Sequence, residues 1–307
     1  MMVGLFCKHG FAQTKPLALP SHNGAMLLDL DGFHITQLSA KPQGREIGVR
    51  AHDTNHTELL AFLFLTPEHT SQSAVTCLQQ DLNQIKRDSG KVTEQLDPDR
   101  TDDGQVATML LTQPNGFQSF YKYAGAGDQC LVVQVYADRG TKLDTAQAST
   151  ILKRQRYDPH YSPTTDDEFR YANVLYQTGQ MTAAIPLYKD FIANAPNDRS
   201  SGALTMRRIA TDNMGMALGM SGKIDDARKL FSEAAKQDPN YPLNYYNLAC
   251  ADAEEGKVAD AKLHLQQAFE HKANTIPGEK MPDPTKDDSI QKLKNNKEFW
   301  AFVQTLK

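Results

Sequence analysis

The 307-residue chain is notable first for what it lacks. No stretch approaches the roughly 18 to 20 consecutive apolar residues of a membrane-spanning helix, so no membrane span is expected. Neither charge is in large excess: residues 1–160 carry 15 Lys and Arg against 17 Asp and Glu, and the remainder 18 against 20. That balance excludes the basic surface that nucleic acid requires, so nucleic acid is not an expected partner. Cysteine is scarce, at positions 7, 77, 130 and 250 with no CxxC pair, which excludes the usual zinc spacing. Cys77 and Cys130 fall in the same half and would pair in an exported protein; buried free thiols are the expectation. No Gly-x-Ser-x-Gly elbow occurs, and His34, His69, His160, His264 and His271 have no nucleophile in register.

Cofactor motifs are missing too. In "YAGAGDQC", Gly125 and Gly127 precede a strand pattern, so no helix N-terminus is available for a phosphate. In "GMSGK" (219–223), Ala217 stands where a nucleotide loop needs its first Gly. "DPDRTDDG" places Asp99, Thr101, Asp103 and Gly104 at calcium-loop spacing, but Leu110 occupies the twelfth place, where a Glu is due. "HDTNHTE" brings His52, Asp53, His56 and Glu58 together. Its Asp-Thr-Asn centre favours a turn between strands, so exposed turn polarity is expected rather than a metal site. Neither metal, cofactor nor catalytic residue is expected.

The first half reads as α+β. From Met26, strand patterns run through "MLLDL", "FHITQLSA", "EIGVRAHD" and "LLAFLFLTP". A helix follows in "SAVTCLQQDLNQIKRD", with Val75, Leu78, Leu82 and Ile85 on one stripe; then strands in "VATMLLTQ", "GFQSFYKYA" and "CLVVQVYAD", and a closing helix in "TAQASTILKRQR". The connections are too short for parallel crossovers, so the sheet is antiparallel with helices on it. The expected domain spans 21–158. Residues 1–20 are a flexible N-terminus or the remnant of a signal peptide that begins upstream of Met1, Gly10-Phe11-Ala12 offering small residues for cleavage. The destination is accordingly periplasmic or extracellular under one reading and cytoplasmic under the other.

The second half repeats. "TGQMTAAIPLYKDFIANAPND", "GKIDDARKLFSEAAKQDPN" and "EEGKVADAKLHLQQAFEHKAN" set Gly179, Gly222 and Gly256 five residues before Ala184, Ala227 and Ala261. Tyr188, Phe231 and Leu265 follow four residues later, and Pro196 and Pro239 close the first two units, with Ala273 in the third. The glycines are 43 and 34 residues apart, and a 34-residue period with two helices per unit is that of a helical solenoid. The excess around "DRSSGALTMRR" lengthens a loop or a helix. Ala172, Gly215 and Ala249 are the small residues expected against Ala184, Ala227 and Ala261.

On these residues the stretch 165–274 resembles the tetratricopeptide repeat family. Departures are Glu168 and Thr211 at bulky positions and Asp252 in an apolar slot. The resemblance implies stacked helix pairs whose first helices line a protein-binding groove. The implied groove residues are Phe169, Asn173, Tyr176 and Gln177; Asp212, Asn213 and Met216; and Tyr246, Asn247 and Cys250. Phe169, Leu243 and Asn247 stand where chaperone-clamp members carry basic residues, which speaks against a clamp. Residues 275–307 are expected as a Pro-rich loop and a capping helix around Phe299 and Trp300. The first half is faintly similar to the Mog1 and PsbP type of fold, by analogy only.

Together these readings describe an α+β domain followed by an all-α solenoid, acting as a non-catalytic protein-interaction scaffold. The alternative is a small-ligand-binding or enzymatic first domain with the repeats as a docking platform.

Overall fold

The computed structural model describes residues 16–66, 73–89, 91–96, 106–137, 144–194 and 201–306. They divide into two compact units, one running to Ala183 and the other from Ala184 onward.

The first unit is built on a seven-stranded antiparallel sheet: β3 (Phe33–Lys41), β4 (Glu46–Asp53), β5 (Thr57–Leu65), β6 (Thr93–Leu96), β7 (Val106–Thr112), β8 (Gln118–Ala126) and β9 (Gln129–Ala137). The order across the sheet is β3-β4-β5-β9-β8-β7-β6. Burial alternates as strand geometry requires: Leu59, Ala61 and Leu63 of β5 point to one face, and Ala107, Met109 and Leu111 of β7 are buried alternately in the same way. Helix α1 (Ala74–Ser89) packs Ala74, Cys77, Leu78 and Leu82 on Met109, Leu111, Tyr121 and Tyr123. Lys122, which by alternation faces the other side, donates from Nζ to Leu152 O (3.1 Å) and Gln155 O (2.6 Å) at the end of α2 (Thr145–Arg154). A buried ammonium there satisfies carbonyls that a helix end leaves unpaired, and burial lowers its pKa.

The strand, helix, strand, helix order expected from the sequence is observed, with three differences. Cys77 and Cys130 are not free thiols: they form a disulfide joining α1 to β9, their Cα atoms 5.8 Å apart. Of the residues expected to be a flexible start, Pro16–Ala18 form β1, which pairs with β2 (Ala25–Leu27) in a small sheet completed by β10 (Arg156–Asp158); residues 1–15 lie outside the described residues. The closing helix ends at Arg154, not at Arg156. Gln155, fully buried, takes an extended backbone and spends its side chain on Ile151 O (2.9 Å) and on the backbone of Asp29 (2.9 and 3.0 Å), which turns the chain into β10. Helix α3 (Thr165–Gln177) also lies in this unit, opened by a capping box of Thr164 and Asp167.

The second unit is helical. The end of α4 (Met181–Asn194) is followed by α5 (Ser201–Met220), α6 (Ile224–Gln237), α7 (Pro242–Glu254) and α8 (Val258–Glu270), then a single 3-10 turn (Lys272–Asn274), α9 (Asp288–Gln291) and α10 (Lys297–Thr305). The excess residues lengthen α5 to 20 residues. The glycine punctuation has one physical cause. Gly179, Gly222 and Gly256 sit at φ +82°, +77° and +73°, and the next residue in each case donates five residues back: Gln180 to Leu175, Lys223 to Leu218, Lys257 to Asp252. That is a left-handed helix stop, which a Cβ would strain. Gly215 serves differently: Phe231 packs over it so closely that a Cβ would stand 2.1 Å from the ring.

The candidate groove

The expected groove residues fall into both units. In the first, Phe169 and Asn173 of α3 are buried, Tyr176 is half-buried and Gln177 exposed. The helix is tied to its own sheet: Tyr171 donates to the carbonyls of Lys41 and Glu46, the latter at 2.9 Å, and Gln180 Nε2 donates to Ala40 O at 2.6 Å.

In the second unit α5 and α7 carry the remaining positions. Asn213 donates to Tyr188 OH (3.1 Å), and Asn247 Nδ2 donates to Asp212 Oδ1 (2.6 Å), so both amides hold neighbouring helices. Tyr246 is buried to 1%, and Cys250 is half-buried. Met216 is different. It is 40% exposed, and Met220, one turn on, is 66% exposed; with Leu263 they are the exposed large apolar side chains among the described residues.

What covers α7 is the segment after α8. Leu243, Tyr246 and Ala253 share a core with Ile276, Ile290 and Leu293, and α10 adds Phe299 and Val303 to it. The segment after α8, the Pro-rich loop included, therefore shares one core with α7. Tyr241 donates to Glu279 Oε1 (2.9 Å), Glu279 Oε2 accepts from Ile276 N (3.1 Å), and Arg208 bonds Asp238 (2.7 Å) with its guanidinium 4.5 Å from the Tyr241 ring centre. Burial, reinforced by the charge of Glu279, pushes Asp212 up to about 6 against the opposing bond from Asn247. Burial likewise raises Glu279, and it raises the Cys250 thiol with Asp287 adding to the effect.

On the far side of α7, Asp252 is fully buried yet matched. Burial pushes its pKa up, but bonds from His264 (Nδ1 at 2.6 Å) and Arg228 outweigh that and hold it below the usual range. Three helices, α6, α7 and α8, thus meet at one carboxylate. The sequence marked Asp252 only as a departure; Arg228 and His264 carried no signal by themselves.

The metal candidates do not assemble. His52 lies opposite His34 on β3 with ring centres 6.2 Å apart, and His56 is exposed in the turn at φ +63°. Among the described residues no group of three His, Cys, Asp or Glu side chains is placed to hold a metal. Asp53 instead accepts from the Asn55 and Thr57 amides, both at 2.8 Å. The calcium-like stretch 99–104 lies outside the described residues. A cleft of about 430 Å³ opens beside this turn, lined among others by Asp31, Asp53, Gln147, Thr150 and Arg154. Among the described residues the buried Arg154 Nε has no acceptor.

Residues 168–198 match the family described as tetratricopeptide repeat. Several solved structures are similar to part of this chain. The Sgt2 TPR domain from Aspergillus fumigatus is 19% identical, covers 47% of this chain and 83% of its own, and has a TM-score of 0.33. PcrH from Pseudomonas aeruginosa is 14% identical over 46% and 90%, with a TM-score of 0.32. The Yersinia enterocolitica chaperone SycD, in complex with a peptide of the translocator YopD, is 17% identical over 48% and 96%, with a TM-score of 0.33. No curated protein matches the chain. The repeat's own signature continues beyond the matched residues, in the shared helix stops at Gly222 and Gly256. No helix among the described residues is long and apolar enough to cross a membrane.

Proposed function

We propose that the protein is a non-catalytic interaction scaffold that engages a partner protein or peptide through the groove side of α5. The observation that carries this is the pair Met216 and Met220. Two unbranched, polarizable side chains exposed one turn apart, on the helix face the repeat family uses for binding, offer adaptable apolar contact. Asp212, Asn213 and Asn247 supply the polar border, and Phe169, Asn173, Tyr176, Gln177 and Tyr246 are the remaining proposed groove positions. The test compares retention from native extract by tagged wild type and by a Met216→Lys, Met220→Lys variant of equal thermal stability. A partner held by the first and lost by the second supports the reading; equal retention overturns it.

The Cys77–Cys130 disulfide supports a periplasmic or extracellular location, since such bonds persist in oxidising compartments. Differential alkylation of the protein from its native source would find these two thiols blocked; finding both free would place it in the cytoplasm. A second reading, a small-ligand site in the sheet unit, is favoured by the cleft of about 430 Å³ lined by the Arg154 guanidinium, which faces Asp29 at 3.8 Å. A thermal shift with small carboxylates, abolished by Arg154→Met, would support it.

A further inference from the structure

The methionines of this chain divide sharply by exposure. Met216 and Met220 stand out from α5 at 40% and 66% exposure, one turn apart, while Met26 and Met109 are buried and Met181, Met206, Met214 and Met281 are half-buried. Gly219, between the exposed pair, has open space where a Cβ would point, so the surface beside them is clear. Their polar neighbours in the proposed groove are already engaged, Asn213 with Tyr188 and Asp212 with Asn247. The other described sulfur atoms are less available. Cys77 and Cys130 share their disulfide, and the half-buried Cys250 thiol faces the Asp287 carboxylate at 3.7 Å, whose charge opposes formation of a thiolate. The two thioethers of α5 are therefore the sulfur atoms that a small oxidant meets first among the described residues.

We infer that Met216 and Met220 form a peroxide-responsive modification site, whose oxidation turns the binding face of α5 from apolar to polar and leaves the fold in place. The inference rests on the groove reading above and adds regulation to it. A lone pair of the thioether sulfur attacks one oxygen of hydrogen peroxide, the S–O bond forming as the O–O bond breaks. The departing hydroxide takes the proton of the transferred hydroxyl and leaves as water, so sulfur loses the two electrons that peroxide gains. Two thiols reverse the step, giving a disulfide and water. Each sulfoxide oxygen is a strong acceptor, and with the adjacent amides engaged it is hydrated; an apolar anchor of a partner must then strip that water to bind. Neither side chain belongs to the cores that join α5 to α6 and α7, so the helices keep their packing.

The experiment treats the full chain with hydrogen peroxide and no partner, so its failure and that of the capture experiment are separate. Peptide mass spectrometry over time is expected to find sulfoxide at Met216 and Met220 at least about 10-fold faster than at Met26 and Met109. Once both are oxidised, the thermal transition is expected within about 2 °C of that of untreated protein. Binding of an apolar fluorescent dye is expected to fall about threefold or more, because the exposed apolar pair has become polar. The two methionine sulfoxide reductases, one for each sulfoxide epimer, should restore both mass and dye signal when supplied with a thiol. A Met216→Leu, Met220→Leu variant, apolar without sulfur, should keep its own dye signal through the same treatment. Oxidation spread evenly over the methionines, dye binding that is absent or unchanged in oxidised wild type, an equal fall in the Leu variant, or a lost thermal transition would each overturn the inference.

Discussion

The two complete helix pairs, α5–α6 and α7–α8, follow one pattern and solve it with different side chains. Where the first places Gly215 beneath Phe231, the second has Ala249 and Leu265, all buried. Where the first has Leu218, the second has Asp252, matched by Arg228 and His264. On the groove side the first exposes Met216 and Met220, while the second presents Tyr246, Cys250 and Glu254 to the segment after α8. The repeat therefore fixes the distance between helices and leaves each slot free to be filled by a ring, an aliphatic chain or an ion cluster, provided the total fits.

Breaking the ion cluster is expected to have the largest effect. Asp252→Ala leaves His264 without its partner and Arg228 with Glu255 alone, at a cost of about 3 kcal/mol in chemical unfolding. Gly215→Ala should cost about 2 kcal/mol because Phe231 must move, and adding Phe231→Leu, which recreates the Ala249–Leu265 pairing, should recover most of it. A double variant no better than the single one would show that the slots are not interchangeable.

The two aspartates also separate by pH. Asp212 has a folded pKa above its unfolded value, so its stabilising contribution is present at low pH and is lost as the pH rises through about 6. Asp252 has a lowered one, so its contribution is present above its unfolded value and lost as the pH falls below about 4. With respect to these two groups the helical unit should thus be most stable near pH 4. Asp212→Asn should raise stability at pH 7.5 by about 1 kcal/mol and flatten the profile between about pH 4 and 6, with little change below. The smallest effect on folding is expected at Met220→Lys, within about 0.5 kcal/mol by thermal melting, since the side chain is 66% exposed. Its effect on partner capture should be large, the inverse of Asp252→Ala.

Much of this architecture is legible in the sequence for a physical reason. Gly222 and Gly256 announce helix stops because a left-handed residue is required there, and Leu59, Ala61 and Leu63 announce a strand because alternate side chains must face a core. What local pattern cannot carry is pairing over distance. Cys77 and Cys130 are 53 residues apart and meet only because α1 folds onto β9; Glu279 finds Tyr241 across 38 positions. The segment 276–287 has no period to read, because Pro277, Pro282 and Pro284 preclude both helix and ladder. The helix that carries Asp212, Asn213 and Met216 was legible in its spacing from the next repeat. The burial of Tyr246 was not, because the segment that shares its core is irregular.

The hydrogen bonds of Tyr171 and Gln180 to the β3–β4 hairpin carry a consequence for biosynthesis. Chains emerge from the ribosome at about 5 to 20 residues per second and fold unit by unit. Here β2 waits for β10, whose Tyr157 pairs with Met26, and the hairpin carbonyls of Lys41 and Glu46 wait for α3. The seven-stranded sheet has all its strands once β9 leaves the exit tunnel, but the small sheet waits for β10 and the hairpin carbonyls stay open until α3 has followed. Nascent chains halted before that helix clears the tunnel would present an unsecured β3–β4 hairpin to proteases and chaperones, and those halted after it would not.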